Sequence, residues 1–154
     1  MNLVYLSLGT DLGNKRAHLL QAVGHIAEKT GTISSLSSVY ETKPWGFESE
    51  NDFLNMMVCV ETTLSPTEVL DCTQAVEKAM GRTQKTDGSY CDRIIDIDLI
   101  AYDDLIFRTE KLQLPHPLFH RRRFVLEPFN EIAPDYIHPG LQKKIKDLLM
   151  ESVD

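Results

Sequence analysis

The sequence is short of cysteine, of net positive charge and of long apolar runs, and each shortage removes a class of protein. Its three cysteines, Cys59, Cys72 and Cys91, lie far apart with no C-x-x-C spacing, so neither a zinc site nor a disulfide framework is indicated. The formal net charge is −7, whereas a chain that grips DNA or RNA through many phosphates carries a basic surface. No nucleic-acid partner is expected. No apolar run approaches membrane-spanning length, and Met1 to Gly9 lack the charged start and long core of a signal peptide. The expectation is a cytoplasmic protein with no membrane partner. Two phosphate-binding signatures are missing as well, G-x-x-x-x-G-K-[ST] and G-x-G-x-x-G, so any phosphate must be held by other means.

What is present is ordinary globular material: 154 residues, 42% hydrophobic and 25% charged. That length and balance suit one domain, residues 1–154, with a single sizeable core. The most informative stretch is Arg93 to Tyr102, R-I-I-D-I-D-L-I-A-Y. Read as a strand, it turns Asp96 and Asp98 to one face, with Cβ atoms about 7 Å apart, and Ile95, Ile97 and Leu99 to the other. Two carboxylates side by side in apolar surroundings raise each other's cost of ionising. A divalent cation relieves that conflict, and Mg²⁺ is commonly held by one or two carboxylates with phosphate oxygens completing the shell. Asp96 and Asp98 are therefore candidate metal ligands; the competing reading is a strand end whose acids face water.

Along the chain, Asn2 to Leu8 reads as a buried strand ended by Gly9, and Leu19, Leu20, Val23, Ile26 and Ala27 follow helical spacing up to Gly31. Thr32 to Tyr40 reads as a strand, and Thr42 to Asp52 as a functional loop holding the only tryptophan. Phe53 to Thr63 is the next strand, with Asn55 the one polar member of a face it shares with Phe53, Met57 and Cys59. Ser65-Pro66-Thr67-Glu68 announces a helix to about Met80, on which Gln74 and Glu77 share a face. Arg82 to Arg93 reads as a mobile loop carrying three cations, Arg82, Lys85 and Arg93. Short strands at Leu105 to Phe107 and Leu112 to Leu114 follow, then a helix from Phe119 interrupted near Pro128, and a short amphipathic helix at Gln142 to Met150. The order strand, helix, strand, strand, helix, strand is the ferredoxin-like split βαβ plan. It predicts an α+β sandwich in which helices pack on one face of an antiparallel sheet, with a helical segment at the C-terminal end. Such a plan hosts many functions.

The chemistry gathers around the acidic strand: a carboxylate pair, cations on both flanks, and aromatics at Trp45, Phe53, Tyr90 and Phe124 able to sandwich a flat ring. Together these point to Mg²⁺-dependent transfer from a nucleotide. Two other readings use the same residues: a nucleotidyltransferase acting on a nucleic-acid end, which the acidic charge disfavours, and a non-catalytic small-molecule binding domain with structural aspartates.

Over nearly its whole length the chain resembles the 6-hydroxymethyl-7,8-dihydropterin pyrophosphokinase family of folate biosynthesis. The resemblance rests on Y-L-S-L-G-T-D-L-G-N, Y-E-T-K-P-W-G-F, D-F-L-N, Q-A-V-E-K-A-M-G-R, D-R-I-I-D-I-D-L-I and L-P-H-P. It implies transfer of the terminal pyrophosphate of ATP to the pterin's hydroxymethyl oxygen with release of AMP, using two Mg²⁺ ions; for a chain of this size a monomer is the expectation. It further implies that Asp96 and Asp98 hold both metals and that Arg82 and Arg93 neutralise charge on the transferring phosphates. ATP would meet Gln74, Glu77, Lys85, His116 and Arg122, with adenine held by backbone near Ile97 and Leu112. The pterin would stack between Phe53 and Phe124 and pair with Asn55 and with backbone at Thr42, Pro44 and Trp45, Asp96 also bordering it. Thr10-Asp11 stands where the family commonly shows Ser-Asn, and Tyr90, Lys111 and Gln113 are further departures.

Overall fold

The first strand sits at the centre of the sheet, and the rest of the chain is laid out on either side of it. A computed structural model describes residues 1–42, 52–81 and 94–152. Strand β1 (Asn2–Thr10) leads to helix α1 (Lys15–Lys29), whose N-cap Asn14 accepts the Ala17 N–H at 3.3 Å. Strands β2 (Thr32–Leu36), β3 (Tyr40–Thr42) and β4 (Phe53–Thr62) precede helix α2 (Pro66–Ala79). Strand β5 (Asp96–Tyr102), a small hairpin of β6 (Phe107–Arg108) and β7 (Gln113–Leu114), a 3₁₀ turn at Phe119–Arg121, and helices α3 (Arg123–Ile132) and α4 (Ile145–Glu151) complete it. The capping box expected at Ser65 is formed in full: Glu68 N–H donates to the Ser65 hydroxyl and Ser65 N–H to the Glu68 carboxylate.

The main sheet runs β2-β4-β1-β5, every neighbour antiparallel, with β3 also paired to β4. This is the strand order of the split βαβ plan. One face packs Val4, Leu6, Val58, Val60, Ile97 and Leu99 against Leu19 and Ile26 of α1 and Val69 and Val76 of α2. The opposite face packs Tyr5, Met57, Cys59, Ile100 and Ala101 against Val125, Leu126 and Phe129 of α3 and Ile145 and Leu148 of α4. Helices thus cover both faces rather than one, because the C-terminal helices bring their own apolar stripes to the second face. Cys59 is buried there and Cys72 half-buried, both as free thiols.

Several element boundaries move from their sequence expectations for identifiable reasons. β1 continues through Gly9 to Thr10, and β5 begins at Asp96 rather than Arg93. Leu6 pairs with Leu99 but Tyr5 with Ala101, so Ile100 is an extra residue, a bulge that turns both Ile100 and Ala101 to the second face. Thr32 to Tyr40 is not one strand: β2 stops at Leu36, and Ser37 ties the break to β4 by donating its N–H to the Met57 carbonyl at 2.9 Å. Helix α3 passes through Pro128, and the interruption falls earlier, at the extended Arg122. A proline six positions into a helix forfeits only the bond to Phe124. α4 starts three residues later than expected, at Ile145. Gly31 does more than end α1: a methyl group there would lie 2.1 Å from the Glu61 carbonyl oxygen, so glycine lets the chain cross β4 closely.

Candidate active site

On the second face the apolar packing stops at one level in three neighbouring strands. Going along β4 toward its start the side chains are Cys59, Met57, Asn55 and Phe53; along β1 toward its end they are Tyr5, Ser7 and Gly9; along β5 toward its start, Ile100, Asp98 and Asp96. The register makes Met57, Ser7 and Asp98 one cross-strand row and Asn55, Gly9 and Asp96 the next, with Tyr40 of β3 extending that second row beyond Asn55. Asn55 and Ser7 are buried, Asp96 is half-buried and Asp98 exposed. The face therefore passes from a packed core to an open polar shelf within one residue pair.

Gly9 is the hollow in that shelf. A methyl group there would sit 3.0 Å from Asn55 Oδ1, so the glycine is what lets the amide lean across β1 toward Asp96. The other end of the amide is fixed, since Asn55 Nδ2 donates to Thr42 Oγ1 at 2.9 Å. Asn55 and Asp96 stand two strand spacings apart, about 10 Å, with no side chain between them in the row. The far end of β1 is tied to the start of the acidic strand by Thr10, whose hydroxyl donates to the Ile94 carbonyl.

His116, Arg122 and Phe124 approach the same corner from the segment after β7. His116 N–H donates to the Ile100 carbonyl at 2.8 Å, which lays this segment along β5. Burial lowers the His116 pKa and the Arg122 charge lowers it further, while the Asp98 carboxylate opposes both. Asp98 and Arg122 therefore both act electrostatically on His116. Neutral His116 accepts the Leu118 N–H on Nδ1 at 3.2 Å, which leaves Nε2 as the protonated, donating nitrogen. The Arg122 guanidinium lies 5.8 Å from the centroid of the Phe124 ring, within cation–π range, and that ring is partly exposed.

Asp96 and Asp98 do share a face, but not an apolar interior. They stand at the rim, where their charges are solvated at less cost. Among the described residues no group of three or more His, Cys, Asp or Glu could hold a metal ion. The donor set is two carboxylates, which fits a hard cation that keeps substrate and water oxygens and does not fit a closed zinc site.

Gln74 is exposed, whereas Glu77, one turn on, is buried with its Oε2 accepting the Ile97 N–H at 2.9 Å. The Ile97 amide is thus bonded within the protein. So is Leu112, whose N–H donates to Thr109 Oγ1 at 3.1 Å and whose carbonyl accepts the Thr109 N–H at 2.8 Å. Phe53 is half-buried at the start of β4, opposite Thr42, and the Thr42 side chain, rather than its backbone alone, enters the network around Asn55. Arg82, Lys85, Arg93, Pro44, Trp45 and Tyr90 lie outside the described residues. A cavity of about 430 Å³ lined by His120, Arg121, Leu141, Lys143, Leu148, Glu151 and Ser152 contains none of the row's residues.

Residues the sequence reading passed over are Gly9, Ser7 and Tyr40. Gly9 was legible in principle, since a glycine inside an otherwise apolar strand often marks close approach of another group.

Residues 5–134 match the family model for 7,8-dihydro-6-hydroxymethylpterin-pyrophosphokinase. A 2-amino-4-hydroxy-6-hydroxymethyldihydropteridine pyrophosphokinase from Porphyromonas gingivalis is 43% identical over 141 residues, 90% of this chain and 95% of the relative. One from Aquifex aeolicus is 38% identical over 152 residues, 99% of this chain and 93% of the relative. In structure, the chain resembles Plasmodium falciparum HPPK-DHPS solved with pteroate, with a TM-score of 0.79 at 18% identity, covering 97% of this chain and 42% of that one. It therefore spans under half of that solved chain, a likeness that shows the fold alone. With the family model spanning most of its length and relatives near 40% identity over almost all of it, this chain belongs to the 7,8-dihydro-6-hydroxymethylpterin-pyrophosphokinase family.

Proposed function

We propose that the chain transfers the terminal pyrophosphate of ATP to the hydroxymethyl oxygen of 6-hydroxymethyl-7,8-dihydropterin, with Mg²⁺, and releases AMP. The observation that carries this reading is the row Asn55, Gly9, Asp96 with Asp98 beside it: an amide, a hollow and a carboxylate pair on one open face. A flat ring with an amide-like edge suits that hollow, Asn55 and Thr42 meeting its polar edge and Phe53 and Phe124 its two faces. Asp96 borders the ring on the other side. In the transfer, the hydroxymethyl oxygen bonds to the β-phosphorus as its proton passes to solvent water. The bond from that phosphorus to the oxygen bridging it to the α-phosphorus breaks, and AMP departs with the electron pair.

Asp96 and Asp98 would hold the metal, and bound Mg²⁺ supplies neutralising charge at the phosphates. His116 offers Nε2–H to a phosphate oxygen, with Arg122 adding positive charge beside it. Arg82, Lys85 and Arg93 add further cations, and Gln74 and the backbone near Ile97 and Leu112 border the nucleotide. Buried Glu77 acts through the Ile97 amide. The reading carries with it a cytoplasmic monomer acting on two small molecules.

The test is to incubate the protein with ATP, Mg²⁺ and the dihydropterin and identify the nucleotide product. AMP formed only with the pterin and lost on chelation is the expected result. ADP as product would overturn pyrophosphoryl transfer, and no turnover would favour a non-catalytic binding domain.

A further inference from the structure

We infer that Glu131, on the far end of α3 from the site, is a positioning residue that sets the slot for the acceptor ring; this rests on the pterin reading above. Its carboxylate takes the Ser38 N–H at 3.0 Å to each oxygen, the Ser38 hydroxyl at 3.0 Å and the Tyr40 hydroxyl at 2.7 Å. Burial works against its charge, but the bonds from Tyr40 and Ser38 prevail and hold the acid below its usual range.

Both ends of this clamp lead to the shelf. Tyr40 stands opposite Asn55, and two residues on, Thr42 accepts the Asn55 amide. β3 is only three residues long, and among the described residues it pairs with β4 alone. A strand so short does not hold its own position by ladder bonds. On the helix, Phe124 and Glu131 are seven residues apart, so they lie on one stripe about 10 Å apart along the axis. One stripe of α3 thus carries an exposed ring at one end and, at the other, the acid bonded to the strand beneath. The Glu131 contacts tie α3, and with it Phe124, to the strand whose Thr42 holds the Asn55 amide.

A role in stability alone makes a different forecast. Glu131 is exposed, and hydrogen bonds at the surface contribute little to folding. Removing it for stability's sake would lower Tm slightly and leave substrate affinities unchanged. Removing a positioning group raises the KM of the acceptor while kcat and the KM for ATP stay put.

The experiment measures pterin Kd by fluorescence with Mg²⁺ and a non-hydrolysable ATP analogue, alongside steady-state kinetics, for wild type, Glu131→Ala, Glu131→Gln and Tyr40→Phe. Losing charge-assisted hydrogen bonds predicts that Glu131→Ala raises acceptor Kd and KM about tenfold, with kcat and ATP KM within about twofold. Tyr40→Phe and Glu131→Gln give smaller rises in the same two quantities, and the double variant Tyr40→Phe/Glu131→Ala is no worse than Glu131→Ala. Should Glu131→Ala not fold, the two milder variants decide the matter. Unchanged acceptor Kd and KM in folded variants, or an equal fall in every parameter, overturns the inference while wild-type pterin binding leaves the substrate reading standing. A wild-type protein that binds no pterin overturns both.

Discussion

The Ile97 N–H donates to the buried Glu77 carboxylate at 2.9 Å, so the peptide that joins Asp96 to Ile97 is anchored from α2. The acid therefore steadies the residue that separates the two aspartates. Glu77→Ala leaves a buried amide without this acceptor, a loss of about 1–3 kcal/mol, which lowers Tm by about 2–10 °C for a chain of this size. Glu77→Gln keeps a carbonyl acceptor and falls between it and wild type. Thermal unfolding and the rate of AMP formation, measured on the same samples, check both statements.

Asp96→Ala and Asp98→Ala are expected to separate activity from stability. Both side chains stand beyond the edge of the second apolar cluster, so Tm should stay within about 2 °C of wild type, as surface changes usually do. AMP formation should fall about a thousandfold or more in each, equivalent to about 4 kcal/mol of barrier. Retained turnover in either variant would remove the metal role from that residue.

Gly9→Ala tests the hollow. The added methyl group meets Asn55 Oδ1 at 3.0 Å, and the amide cannot simply swing away while Thr42 holds its other end. The expected outcome is a rise of about five- to tenfold in acceptor KM, the equivalent of about 1 kcal/mol, with the KM for ATP little altered. Ala at this position with wild-type acceptor binding would mean that the shelf is not where the ring lies.

The histidines make stability depend on pH in one direction. Burial is the largest cause lowering the pKa of His116, His120 and His138, with nearby Arg122, Arg121 and His120 respectively adding to it. In the unfolded chain these groups titrate near about 6.5, so just below that pH the unfolded state binds more protons than the folded one. Stability from these groups is present above the unfolded pKa and lost as pH falls through the lowered folded values. Denaturant unfolding between pH 5 and 7.5 should show ΔG rising with pH. His138 accepts the Gly140 and Leu141 N–H groups on Nδ1, each at 3.0 Å. His138→Asn, which keeps an acceptor but cannot titrate, should reduce the slope.

What could be read from the sequence was what depends on neighbours along the chain. The α2 start needed only four adjacent residues, Ser65 to Glu68, and formed as expected. The shared face of Asp96 and Asp98 needed only strand alternation, and the opposing Ile95, Ile97 and Leu99 all joined the first apolar cluster. Asn55 was identified as the polar member of its face for the same reason. Gly9 was misread as a terminator because its meaning depends on register with Asn55 and Asp96, each far away in sequence. The Ile100 bulge was invisible for a like reason, since an extra residue exists only relative to a partner strand. Burial at the acid pair was overestimated because apolar neighbours along β5 say nothing about where α3 ends its cover.

The central place of β1 also sets a schedule for synthesis. The strand is finished once Thr10 is made, yet its partner on one side comes with β4 and on the other only with Tyr102. At about 5–20 residues per second, a growing chain carries β1 with an unpaired edge for about 5–20 s. That edge carries apolar side chains at Val4, Tyr5, Leu6 and Leu8, the kind of surface to which another strand, or a chaperone, can attach. A chain that stops between β4 and β5 would have four of the five strands of the main sheet, neither Asp96 nor Asp98, and an open edge of β1 for association.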